Sequence, residues 1–366
     1  MFKITPAVFA AGENYHIMVP VSCPVLMWAK VGDEEYYDED NGIMRSDVDV
    51  HRMIVPKNEL DKARKYTICV RKIIERKPYF TETEDAQFFD YEFKPVEGEK
   101  VRAYHISDAH SMVDLPVSAA KAYGDIDFLI LNGDIPNHSG DVENIFTVYE
   151  IIEKLTEGKI PVVFARGNHD MRGVCAEHFA EWTPNNNGAT YYTFRLGNIW
   201  GLILDCGEDK LDSSNEYGYT VSCHAFRKRQ TKFIKSVIEN AEKEYNADGV
   251  KHKLIISHHP FTKKMNEPFN IEEDTYTEWA KLIKDNIKPD VMLCGHLHKL
   301  AIFEVGSEDD AFGQPCKVVI GSHPLANHLK DTDETWFKGA GFSFENDKIE
   351  VTFTKSTGEI LEKHII

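Results

Sequence analysis

The sequence predicts a sheet-rich α/β protein in two parts: an all-β sandwich over residues 1–97, then a layered α/β domain over residues 98–366. Three observations predict it. Short β-rich runs separated by turn-rich segments fill the first 97 residues, with almost no helical periodicity. From residue 101 onward, short apolar runs alternate with amphipathic helices, as in packed α/β layers. Between the two lies Lys94-Pro-Val-Glu-Gly-Glu-Lys100, charged and carrying a Pro and a Gly as a linker would.

The opening segment, Met1 to His16, has one early Lys and a short apolar stretch after Pro6, so it reads as a strand rather than an export signal. Strands follow at Tyr15–Val21, Val25–Val31, Val50–Val55, Tyr66–Ile73 and Phe88–Phe93. The acidic, aromatic stretch Asp33 to Asp40 reads as a solvated hairpin tip. Tyr66, six residues after Leu60 and followed by alternating Ile68 and Val70, resembles the tyrosine corner of immunoglobulin-like and fibronectin-like sandwiches. In the second part, Val142, Ile145, Phe146, Tyr149, Ile152 and Leu155 recur at spacings of three and four, placing one apolar stripe of a helix toward a sheet. Phe226, Phe233, Ile234, Val237, Ile238 and Ala241 do the same, and the basic side chains Arg227, Lys228, Arg229, Lys232 and Lys235 should line the solvated face. A shorter helix carries Trp279, Leu282 and Ile283, and residues 342–365 read as closing antiparallel strands with turns at Asn346-Asp347 and Thr357-Gly358.

Charge and composition narrow the function. Lys plus Arg total 42 against 60 Asp plus Glu, a formal net charge of -18 that repels polyphosphate backbones and anionic lipid. Nucleic acid and membrane partners are therefore disfavoured, and no run approaches the roughly 18 apolar residues of a spanning helix. The seven cysteines are odd in number, scattered and free of any C-x-x-C pair, which suits a reducing cytoplasm.

Five apolar runs end abruptly in polar residues: Val101–Ser107 before Asp108-Ala109-His110, Ile126–Asn132 before Gly133-Asp134, Ile160–Arg166 before Gly167-Asn168-His169-Asp170, Lys253–Ser257 before His258-His259, and Val291–Cys294 before Gly295-His296-Leu297-His298. In open α/β sheets, sites form in the crevice beyond the carboxyl ends of the strands, so these groups can converge across about 190 residues of chain. Residues two apart in extended chain point the same way, so Asp108 with His110, and His296 with His298, can each present two donors to one cavity. Imidazole, carboxylate and an amide oxygen form a borderline-hard set suited to Mn, Fe or Zn, and Asp134 is the obvious shared carboxylate for two ions.

In this order the five blocks resemble the signature of the calcineurin-like metallophosphoesterases, over residues 101 to 300 and leaving the first 97 outside. The resemblance implies an α/β/β/α sandwich holding two divalent or trivalent metal ions. It makes Asp108, His110 and His298 ligands of one ion and Asn168, His258 and His296 ligands of the other, with Asp134 bridging. His259 is left behind the ligands. It also implies phosphate-ester hydrolysis by a metal-bridging hydroxide, with His169 as general acid oriented by Asp170. His138 and Arg172 are candidate substrate contacts, whereas Asp205 reads as structural. Purple acid phosphatases of the family carry Tyr three residues after the bridging Asp; here that position is Asn137, so their iron-phenolate colour is not expected. The expected partner is a small phosphoester, with residues 178–198 as a wall of its pocket. His323, in Gly-Ser-His-Pro, reads as a loop residue. A nuclease or cyclic-nucleotide phosphodiesterase is the enzymatic alternative, and a noncatalytic binding protein that keeps the fold is the alternative of another class.

Overall fold

A computed structural model describes residues 1–366. At its centre, the strands Lys100–Ile106, Phe128–Asn132 and Val162–Ala165 run parallel, and so do Ile199–Leu204, His252–Ser257 and Val291–Cys294. The antiparallel strands Lys317–Leu325 and Trp336–Glu345 join the two groups, and Lys348–Lys355 and Ile360–Ile365 close the edge. The central strands are fully buried, as near-continuous Val, Ile and Leu runs require when both faces are covered.

Three apolar cores show the layering. The largest joins the inward faces of both strand groups, through Ala103, Ile130, Val163, Leu254, Leu293 and Phe342 among 41 buried residues. Helices Asp114–Tyr123 and Thr147–Thr156 cover one outer face, and Cys223–Glu239 and Glu273–Leu282 cover the other. This is the expected α/β/β/α order, and each fully buried Val, Leu or Ile in it contributes about 1.5–3 kcal/mol. The predicted apolar stripe at Ile145, Phe146, Tyr149 and Ile152 is buried, while the helix Asp114–Tyr123 had no counterpart in the sequence reading.

The N-terminal strands do not form a sheet of their own on every side. Ala7–Ala11 lies parallel to Val162–Ala165 and antiparallel to Asn14–Pro20, which pairs with Val50–Pro56, so the central sheet runs on into the N-terminal part. A second sheet, from Val25–Val31, Glu34–Tyr37, Lys65–Glu75 and Gln87–Glu92, faces it across the same core. Tyr66 is buried but makes no corner within its own segment: its hydroxyl donates to the Gly158 carbonyl at 2.8 Å. Arg52 likewise donates to the carbonyls of Ala180, Glu181 and Thr183 at 2.6, 3.0 and 2.7 Å. A tyrosine corner needs an acceptor just upstream, and here the better acceptor comes from across the sheet. No helix is long and apolar enough to cross a membrane.

Candidate metal centre

The five predicted blocks come together where the parallel strands end. Backbone hydrogen bonds lock their loops side by side: Asp108 N–H donates to the Gly133 carbonyl and His110 N–H to the Asp134 carbonyl, both at 3.0 Å, and Gly295 N–H donates to the His258 carbonyl at 2.9 Å. The packing leaves no room for a Cβ at two of the glycines. One on Gly295 would collide with Ser107 Oγ and stand 2.6 Å from Asp108 Oδ2, and one on Gly167 would run into the Asp134 side chain. Asp108, His110, Asp134, His296 and His298 all have positive φ, between 45° and 67°. Non-glycine residues take that conformation at a cost, and a cluster of them marks a site whose surroundings enforce it.

The donors fall into overlapping groups. Asp108, His110 and His298 form one, with His298 Nε2 3.3 Å from Asp108 Oδ1 and 2.9 Å from His110 Nε2. Asp134 joins Asp108 and His258 in a second group, and His110 and His169 in a third. On the far side, Asn168 Oδ1 lies 3.1 Å from both His296 Nδ1 and His259 Nε2. His258 Nε2 reaches Asp134 Oδ2 at 3.1 Å, while its Nδ1 sits 2.8 Å from the Asn132 carbonyl, which fixes the ring. Donors about 2.0–2.2 Å from one ion stand roughly 3 Å apart, so these spacings suit metal binding. Buried His110 Nδ1 and His258 Nε2 make no aligned hydrogen bond within the protein, and a cation held between His258 Nε2 and the Asp134 carboxylate 3.1 Å from it would satisfy both.

Charge inside the cluster follows the same geometry. Burial alone would raise the Asp108 carboxyl, but the charges of His258 and His298 outweigh it and hold the group down to about 2. Burial works against a charged His258 too, yet Asp134 and Asp108 raise its imidazole to about 10. His110 and His296 are lowered by burial to about 4. Without metal, a proton on His258 thus stands where a cation would balance two carboxylates.

Several expectations need correction. His259 does not stand behind the ligands: the chain bends after Ser257, so both histidines of the pair turn inward and His259 reaches the Asn168 oxygen. Asp170 does not orient His169. Its Oδ2 accepts from Gly167 N–H at 2.7 Å and Asp134 N–H at 3.3 Å, bracing these two loops against each other, and burial with the Asp134 charge raises it to about 7. The His169 ring is held instead by the Asn137 carbonyl, 2.7 Å from Nδ1, while its backbone N–H donates to Asp134 Oδ1 at 2.8 Å. Arg172 and His138 do not line the cleft beside the donors. Arg172 is drawn to Glu208, with Nη2 to Oε2 at 3.0 Å, and places Nη1 3.1 Å from His169 Nε2. His138 is exposed and turned onto its own loop, where its Nδ1 accepts from Gly140 N–H at 3.0 Å.

That cleft, about 350 Å³, is walled by Asp209, Met265, Phe269 and Leu297, not by residues 178–198. Arg227, expected on a solvated helix face, is 1% exposed and donates to the Cys206 carbonyl at 2.7 Å and to Glu272 at 3.0 Å. Asp205 is structural as read, accepting from Arg166 at 2.7 Å and Thr190 at 2.6 Å.

The profile of the family described as calcineurin-like phosphoesterase matches residues 101–300. Serine/threonine-protein phosphatase CPPED1 of Homo sapiens is 23% identical over 187 residues, 48% of this chain and 54% of that protein. The match thus spans about half the length of the human relative. Purple acid phosphatase PPD1 from yellow lupin (Lupinus luteus) seeds superposes with a TM-score of 0.57 at 12% identity, over 99% of this chain and 73% of that one, a likeness of fold.

Proposed function

Because the chain belongs to the calcineurin-like phosphoesterase family, we propose that it hydrolyses phosphate esters at a centre of two metal ions gathered around Asp134. One observation carries the reading: Asp134 belongs to two of the donor groups and touches His258 of a third set of donors, as a shared carboxylate must. Asp108, His110 and His298 would hold one ion, and Asn168, His296, His258 and His259 supply the donors for the other. The set contains nitrogen and oxygen but no sulfur, which suits Mn, Fe or Zn. Bound there, such ions would supply the positive charge that acidifies a water and stabilises phosphoryl oxygens.

The remaining work belongs to the chain. With Nδ1 held against the Asn137 carbonyl, His169 turns Nε2 toward the cleft beside Arg172 Nη1, 3.1 Å away, and passing a proton to the leaving oxygen requires substrate to take the place of that contact. Asp170 keeps the Gly167 and Asp134 backbones in place beneath it. Met265, Phe269 and Leu297 give the cleft an apolar wall against which the body of the ester can lie. The name of the human relative supports phosphoserine and phosphothreonine side chains as the esters. All seven cysteines are unpaired, which supports a reducing compartment such as the cytoplasm. Asn137 carries no phenol, so the loaded protein is expected to lack a tyrosine-to-iron absorption band.

The test is elemental analysis of the purified chain, paired with hydrolysis of an aryl monoester and an aryl diester under Mn, Zn and Fe. Two ions per chain and turnover of the monoester are expected; two ions without turnover of either ester would favour a noncatalytic binder.

A further inference from the structure

The strand Lys299–Phe303 leaves the metal centre directly after His298 and forms one bank of a groove of about 790 Å³. Leu300, Ile302, Phe353 and Ile365 line it together with Lys299, His323 and Lys338, and its two acidic side chains, Glu304 and Glu362, are turned to Lys317 and His364 at 3.0 Å each. His323, read from sequence as a loop residue, lies within the strand Lys317–Leu325.

Register explains how two lysines and one neutral imidazole, lowered to about 4 by burial and by Lys338, meet. His323 pairs directly with Lys338 across one strand boundary, and Lys338 pairs directly with Lys355 across the next. The three therefore form a row on one face of the sheet. It is the core-facing side: two and four residues along the same strands lie Gly321 and Val319, Ala340 and Phe342, and Phe353 and Val351, most of them in the inter-sheet core. Trp336 sits among them, with the His323 ring 4.8 Å away and the ammonium groups of Lys338 and Lys355 at 4.5 and 5.7 Å from its ring. Like charges directly opposite in a ladder destabilise it, and cation-π contact offsets only part of that. Carboxylates could do the rest, but none lies within 4.0 Å of Lys299, Lys338 or Lys355, although the chain carries a net charge of -18 and neighbouring Lys317 pairs with Glu304 at 3.0 Å.

We propose that Lys338, Lys355, His323 and Trp336 form an anion subsite that receives a second acidic group of the substrate while its phosphate sits at the metal centre. Lys299 pairs with Ser322, so Lys338 lies two strand spacings from the strand that begins directly after His298, on the order of 10 Å. The ligand is thus a phosphoester with a further oxyanion along the same molecule: an acidic side chain flanking a phosphorylated residue, or a second phosphate. The inference rests on the phosphoesterase reading above.

The test uses the full metal-loaded chain and its Lys338→Gln/Lys355→Gln variant on four substrates: an aryl monoester, a neutral phosphoserine peptide, that peptide with two added glutamates, and that peptide with a second phosphoserine. For the last two, kcat/KM is expected to fall about tenfold, the scale of one charge-assisted hydrogen bond, and to change less than twofold for the first two. A loss confined to the glutamate peptide identifies a carboxylate ligand, and one confined to the doubly phosphorylated peptide identifies a phosphate. Equal change for all four substrates, or for none, overturns the subsite. The thermal midpoint of the variant is expected to stay level or rise as like charges part; a fall would assign the lysines to the fold and also overturn it. If the parent chain turns over no ester, the phosphoesterase reading fails separately, and calorimetry with tetraglutamate still decides: binding lost in the variant supports the subsite, and binding absent or unchanged rejects it.

Discussion

At the carboxyl ends of the central strands, five acidic and imidazole residues sit on strained, left-handed backbone; in the N-terminal strands, Asp38 and His51 are just as buried but lie on ordinary backbone and pair at 2.6 Å. Arg52, next to His51, directs Nη2 at three carbonyls. The first cluster aims several donors at one point, each strained residue costing on the order of 1–3 kcal/mol. The second joins its charged groups to single partners or carbonyls already present, although His51 Nε2 and Arg52 Nε are left without one. Buried histidines and acids alone therefore say little about chemistry, whereas convergence maintained against backbone preference says a good deal.

The largest expected effect lies at the point of convergence. Asp134→Ala should remove activity to below detection and release bound metal, read by elemental analysis; a variant that kept both ions would break the contrast. His169→Ala should lower kcat by about 10²–10⁴-fold, the range of a general acid, with both ions retained. Loss of metal there would make His169 a ligand. In the N-terminal cluster, Asp38→Ala should destabilise the chain by about 3–5 kcal/mol in urea unfolding, because it leaves one half of a buried pair, and should leave kcat of the folded protein unchanged. A fall in kcat at full folding would join the two clusters.

The smallest effect is a slope in pH. Burial first, and then the charge of Arg52, lowers His16 from 6.5 to about 3. The unfolded chain takes up this proton near its ordinary value, so the stability contributed by neutral His16 is fully present above pH 6.5 and is lost as pH falls toward 3. Thermal midpoints recorded between pH 7 and pH 4 should decline less steeply in His16→Gln than in the parent chain. Equal slopes would mean that His16 is not held neutral.

Much of the site could be read from residue types at strand ends. Gly133-Asp134 and Gly295-His296-Leu297-His298 announce a turn and a donor together, and the apolar runs before them are too continuous for anything but covered strands. Alternation also marked the edge segments near Val25 and Val50 well. What stayed hidden depends on partners rather than on local pattern. Alternation would send His258 and His259 to opposite faces, and only the bend after Ser257 brings both inward. Arg227 looks like any surface Arg until Cys206 and Glu272 close over it. Asp170 follows His169 in sequence, yet its Oδ2 takes the backbone N–H groups of Gly167 and Asp134, and the ring goes to the Asn137 carbonyl.

The parallel pairing of Ala7–Ala11 with Val162–Ala165 has a consequence for biosynthesis. Phe9 meets Val162, a residue made some 150 positions later. At about 5–20 residues per second, the ribosome needs on the order of 10–30 s to deliver it. Throughout that interval an apolar segment waits beside an emerging chain with one flank unpaired, which gives a nascent-chain chaperone a defined surface to protect until Val162–Ala165 is made.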